Sequence, residues 1–141
     1  MKQEEIKSPV EIVQKLLAVH STRKEACERM AKNNAALDLQ EKLKSAAAQS
    51  ERFIKELLNE LSQFGDAVQS EVNREDEYHE VWSNATAKID TMNASALSDT
   101  FKTSENSLVN MYSQIRGSYP DLPLTLNELI AEQAKEIKQT L

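Results

Sequence analysis

Glycine and proline are scarce, with two and three residues in a chain of 141. That scarcity leaves little room for hairpins or glycine-rich phosphate loops and favours helix throughout. There is one cysteine, Cys27, so no internal disulfide can form. Aromatic residues make up 5% of the chain, too few and too scattered to stack nucleic-acid bases. Basic residues are outnumbered, 17 against 23 acidic, giving a net charge of -6. Phosphate backbones and anionic membrane surfaces both need a basic face, so neither nucleic acid nor membrane is an expected partner. The first residues, MKQEEIKSPVEIV, contain no long apolar run, so neither a signal peptide nor a membrane span is expected. With a single cysteine, this makes a cytoplasmic location the expectation.

What remains is a sequence with 40% hydrophobic and 28% charged residues, a balance that fits one globular domain over 1–141. Apolar residues recur at three- and four-residue spacing in four long segments. Ser8-Pro9-Val10-Glu11 has the pattern of a helix start, with a cap, a proline in the first turn and a capping-box glutamate. From there the first helix is expected over about 9–33, with Val13, Leu16, Leu17, His20, Cys27 and Met30 or Ala31 on its inner face. A turn at Asn33-Asn34 leads into a second over about 36–64, lined by Leu39, Leu43, Ala46, Ala47, Ser50, Phe53, Ile54, Leu57, Leu61 and Phe64. Gly65 follows as its stop signal. Residues 66–93 are more polar; Asn73, with Asp76 three residues on, resembles a helix cap, and a shorter helix follows at about 74–90 with Tyr78, Trp82, Ala85 and Ile89 on one side. A helix over about 94–118 presents Leu97, Phe101, Ser104, Leu108, Met111, Tyr112 and Ile115. After Tyr119-Pro120-Asp121-Leu122-Pro123, the last runs over about 125–141 with Leu126, Leu129, Ile130, Gln133, Ala134 and Ile137 inward.

Two hairpins joined by one long helical crossover give an all-α fold, the ferritin-like form of the four-helix bundle. Each apolar stripe is interrupted near its middle by polar residues: His20, Ser50, Ser104 with Glu105, and Gln133. At about 1.5 Å per residue these fall at similar heights. Glu105 lies toward one side of its arc and is the carboxylate expected to be buried, within reach of Arg23 or Lys24 at the edges of the first helix's arc.

A polar layer in such a bundle is where a di-metal centre would be built, from two glutamates and two Glu-x-x-His motifs. The chain lacks those motifs. Leu17 stands three before His20, Asp76 stands three before His79, which is expected to point away from the Tyr78–Trp82 side, and Glu51 is followed at that spacing by Ile54. Glu132 and Gln133 offer little more from the last helix. A single divalent metal on Glu105 and His20 is the residual metal reading, and Glu75 with His79 a second. Against them stand a closed hydrogen-bond network that fixes helix register and an acidic first turn favoured by the helix dipole. His20 lacks the His-x-x-Lys-Gly surroundings of a phosphorelay histidine. Cys27 lies on the buried stripe, where a core thiol is the default. No catalytic residue and no cofactor is assigned, and the chain reads as non-enzymatic. Exposed faces rich in Glu, Lys and Gln make a homodimer an option.

Several stretches resemble bacterial ferritin-like four-helix-bundle proteins classed as a domain of unknown function. These are Glu25-Ala26-Cys27-Glu28-Arg29-Met30-Ala31, Arg52-Phe53-Ile54-Lys55-Glu56-Leu57, the crossover with Trp82, Ser104-Glu105-Asn106 with Tyr112, and Ile137-Lys138. The resemblance spans most of residues 10–141, although members often carry Gly-Tyr where this chain has Ala26-Cys27. It implies the fold and supplies no activity. It also marks Glu105, because a glutamate recurs there in the family's corresponding helix.

Overall fold

The computed structural model describes residues 9–63, 77–119 and 121–139. It is helical throughout, with no strand among the described residues. Helix α1 spans Pro9–Ala31, α2 Gln40–Ser62, α3 Glu77–Thr86, α4 Ala94–Ser118 and α5 Leu124–Gln139. Short 3-10 segments at Asn34–Leu39 and Ile89–Thr91 precede α2 and α4.

The boundaries follow local chemistry. Asn33 stops the first hairpin helix from running on: its side-chain oxygen caps the Ala35 N–H at 2.8 Å. Ala36 then adopts φ -92°, ψ 15°, which breaks helical continuity. The second helix therefore begins at Gln40, later than the expected 36. The Asn33 amide also donates to the carbonyls of Ile89 and Met92, tying the α1–α2 turn to the end of the crossover. Asn93 caps α4 by accepting from the Ala96 N–H, and α4 occupies the span expected for it. The proposed caps at Ser8 and Asn73 and the stop at Gly65 lie outside the described residues, as does Phe64.

Helices α1 and α2 pack along one another most extensively, and α5 lies beside both α2 and α4. Helix α3 sits against α1 and α4. The backbones of α1 and α4 themselves scarcely approach, so long side chains must fill the space between them. The core contains Val13, Leu16, Leu43, Phe53, Leu57, Tyr78, Trp82, Leu97, Leu108, Tyr112, Leu126 and Ile130. Each fully buried Leu, Val, Ile or Phe contributes about 1.5–3 kcal/mol of hydrophobic stabilisation.

Helix α1 departs from expectation. Leu17 is only half-buried, while Ile12, Val19, Arg23 and Ala26 are buried. With α2 and α3 both against it, α1 buries a wider arc than a hairpin partner alone requires. His79 also departs: it was expected to point away from the Tyr78–Trp82 side, and it is buried, with Nε2 2.8 Å from Thr22 Oγ1. Here α3 lies in the angle between two helices, so two of its faces are covered.

Candidate functional site

Most of the polar residues at the helix midpoints join one network that begins at Arg23. This side chain is fully buried and forms a two-pronged ion pair with Glu105 of α4, Nε to Oε2 at 3.0 Å and Nη2 to Oε1 at 2.7 Å. Planar guanidinium and carboxylate match in this geometry, which strengthens both bonds. Burial alone would lower the Arg23 pKa, but the charge and hydrogen bonds of Glu105 turn the net shift upward. Arg23 Nη1 donates to Ser50 Oγ of α2 at 3.0 Å. Ser50 Oγ is in turn 2.9 Å from His20 Nδ1. His20 Nε2 lies 2.7 Å from the Tyr112 hydroxyl of α4. Tyr112 donates to Gln133 Oε1 of α5 at 2.6 Å, and Gln133 Nε2 donates to Glu56 Oε1 of α2 at 3.1 Å.

The proton positions follow from the ends of this chain. A carboxylate only accepts, so Gln133 must turn its NH2 toward Glu56 and its oxygen toward Tyr112. Tyr112 then spends its proton on Gln133 and accepts from His20 Nε2–H. The other ring nitrogen, Nδ1, is left bare and accepts the Ser50 hydroxyl proton. The Ser50 oxygen is free to accept from Arg23, which only donates. Glu56 at one end thus fixes the direction, the Arg23 donor at the other is compatible with it, and His20 is neutral with its proton on Nε2. Its pKa is held well below the usual 6.5, first by burial and then by the Arg23 charge. Burial likewise pushes the Tyr112 hydroxyl far above its ordinary range. The rings of His20 and Phe53 meet edge to face at 5.2 Å, closing an apolar side of the layer.

Of the expected layer, His20, Ser50, Glu105 and Gln133 are brought into this network. Ser104 is buried but turns back on its own helix, donating to the Phe101 carbonyl at 2.8 Å. That local bond is a common alternative for a serine inside a helix. Arg23 was placed at the edge of its arc, yet it follows His20 by three residues and precedes Cys27 by four, which puts it on the stripe. Lys24, offered as an equivalent, is half-buried and pairs with Glu28. Tyr112 was read as apolar lining, and its hydroxyl proves to be the link between α1 and α5. Glu56 was not singled out, because nothing in its spacing marks a half-buried acceptor.

Glu105 and His20, the candidate metal ligands, are separated by Arg23 and Ser50. Both oxygens of Glu105 face a guanidinium, and both nitrogens of His20 face hydroxyls. Among the described residues, no group of three or more His, Cys, Asp or Glu side chains is placed to hold a metal ion. Glu75, the partner suggested for His79, lies outside the described residues. Cys27 is buried, and burial raises its thiol pKa to about 12, a value that suppresses thiolate chemistry. No helix among the described residues is long and apolar enough to cross a membrane. Comparison with family models, curated proteins and solved structures yields no match in any of the three.

Proposed function

We propose that this chain is a non-enzymatic, cytoplasmic helical bundle of ferritin-like layout that acts through its surface, by binding a protein partner or by self-association. In this reading the polar layer sets the register of α1, α2, α4 and α5 and performs no reaction. The supporting observation is the direction of the hydrogen bonds: Arg23, Ser50, His20, Tyr112 and Gln133 spend their cross-helix donors and acceptors on one another or on Glu105 and Glu56. A metal entering here would have to displace Arg23 from Glu105 or a hydroxyl from His20. The likeness to the bacterial family of unknown function belongs to the same proposal.

The alternative is a degenerate iron or manganese protein that binds one ion at Glu105 and His20. Metal analysis of protein purified without chelator, with thermal melts in iron(II) and manganese(II), separates the two. A native-state ligand at 100 times its Kd stabilises by about 2.7 kcal/mol. The surface reading expects no copurified metal and no saturable rise in Tm. A saturable rise that disappears in Glu105→Gln would replace it with the metal reading. Light scattering over a concentration series tests self-association directly.

A further inference from the structure

Helix α3 carries two of the buried polar side-chain atoms without a hydrogen-bond partner among the described residues; the third is Gln49 Oε1 of α2. The Tyr78 hydroxyl and the Trp82 indole nitrogen are both buried and make no hydrogen bond of acceptable geometry. The two groups interact weakly: burial pushes the Tyr78 hydroxyl well above its ordinary range, opposed by the Arg23 charge and, least, by the Trp82 indole. Nearby stand Arg23, Cys27 and Glu105. The guanidinium is committed to Glu105 and Ser50, and the Cys27 thiol is a weak partner. A buried group left without a partner costs free energy that it recovers in water. The helix itself has only ten residues, Glu77–Thr86, below the length at which an isolated helix persists. Its hold on the molecule includes the burial of Tyr78, Trp82 and Ala85 and the Thr22–His79 contact.

We propose that α3 is a cover that lifts from α1 and α4 as a unit while the four long helices stay packed, uncovering Cys27 and the Arg23–Glu105 pair. Lifting it gives the Tyr78 hydroxyl and the Trp82 indole access to solvent, and leaves the network through Ser50, His20, Tyr112 and Gln133 intact. Such sub-global openings have free energies between zero and that of global unfolding.

The chain carries its own probes: Cys27 is its only thiol and Trp82 its only tryptophan. Thiol labelling of Cys27 by an aromatic disulfide reagent is followed across sub-denaturing urea, in parallel with acrylamide quenching of Trp82. Global unfolding is followed by circular dichroism. The proposal expects Cys27 labelling and Trp82 quenching to report one shared opening, easier than global unfolding and with a smaller urea dependence, since less surface is exposed. It expects Tyr78→Phe, which removes one unserved hydroxyl, to slow labelling by about fivefold or more. Labelling with the same urea dependence and free energy as global unfolding would overturn it. So would faster labelling in Tyr78→Phe, because the hydroxyl would then hold a bonding partner, such as an ordered water, in the closed state. If Tyr78→Phe does not fold, the hydroxyl supports the closed state and the proposal fails on that ground as well.

Discussion

Two arginine–glutamate pairs in this molecule are each held by two hydrogen bonds and differ in surroundings. Arg23–Glu105 links α1 to α4, with side chains 1% and 3% exposed. Arg52–Glu136 links α2 to α5, with side chains 49% and 35% exposed. Both are two-pronged. At the surface, water competes for the same charges, so Arg52–Glu136 contributes little to stability. In the centre, each partner has lost its hydration, and each depends on the other to offset that cost. The difference teaches that the buried pair secures the arrangement of helices more than it adds net stability. Removing one member exposes the cost, whereas replacing both need not.

The largest effect that would break or sharpen this contrast comes from Glu105→Ala. It leaves a guanidinium buried without a counter-charge and is expected to destabilise by about 3–5 kcal/mol in urea or guanidinium titrations. Replacing both members, Arg23→Met with Glu105→Leu, should bring stability back to within about 1 kcal/mol of the parent, since apolar side chains of similar volume often substitute for a buried pair without loss. A double variant as unstable as Glu105→Ala would refute that account. Ser50→Ala ranks next. It deprives Arg23 Nη1 of an acceptor and His20 Nδ1 of a donor, and an expected loss of about 1–3 kcal/mol checks the central position of Ser50.

The pH dependence tests His20. Its pKa is lowered in the folded chain, by burial and then by Arg23, and returns to near 6.5 on unfolding. The unfolded chain therefore binds the proton more readily below 6.5. Stability from this group is complete above pH 6.5 and falls as the pH drops from there toward the folded-state value. Urea midpoints measured from pH 8 to 5 should decline, with a shallower decline in His20→Gln. The smallest effect belongs to the surface pair. Arg52→Ala should cost less than about 1 kcal/mol, and less still in high salt. Glu136, held below the usual carboxylate range chiefly by its hydrogen bond to Arg52, supplies stability at neutral pH that fades as the carboxylate protonates. A loss at Arg52 comparable to that at Glu105 would erase the distinction between the two pairs.

Much of the helical plan was legible because three- and four-residue spacing records which face is covered, and Asn33, Asn93 and Pro123 mark breaks between helices. The span of α4 and the burial of His20, Ser50, Glu105 and Gln133 came from that pattern. Periodicity says less about a helix touched on two sides, which is why Arg23 was assigned to an edge and His79 to the outside. It is also silent on where a hydroxyl points. Ser104 and Ser50 occupy equivalent places on their stripes, yet one bonds its own backbone and the other joins α1 to α2. Tyr112 could be read as apolar or polar, and only its neighbours decide.

The one-way run of hydrogen bonds carries a consequence for how a change at the rim reaches the middle. Glu56 is half-buried, five links away from Arg23 by way of Gln133, Tyr112, His20 and Ser50. A lysine at that position would ask the Gln133 amide to flip, and each proton beyond it to move to the opposite partner. At the far end Ser50 would accept from both His20 and Arg23, and its own proton would have to leave the run for another acceptor. The molecule thus has a handedness of proton placement that one carboxylate at its rim sets, and an edit to that single residue reorders protons across four helices.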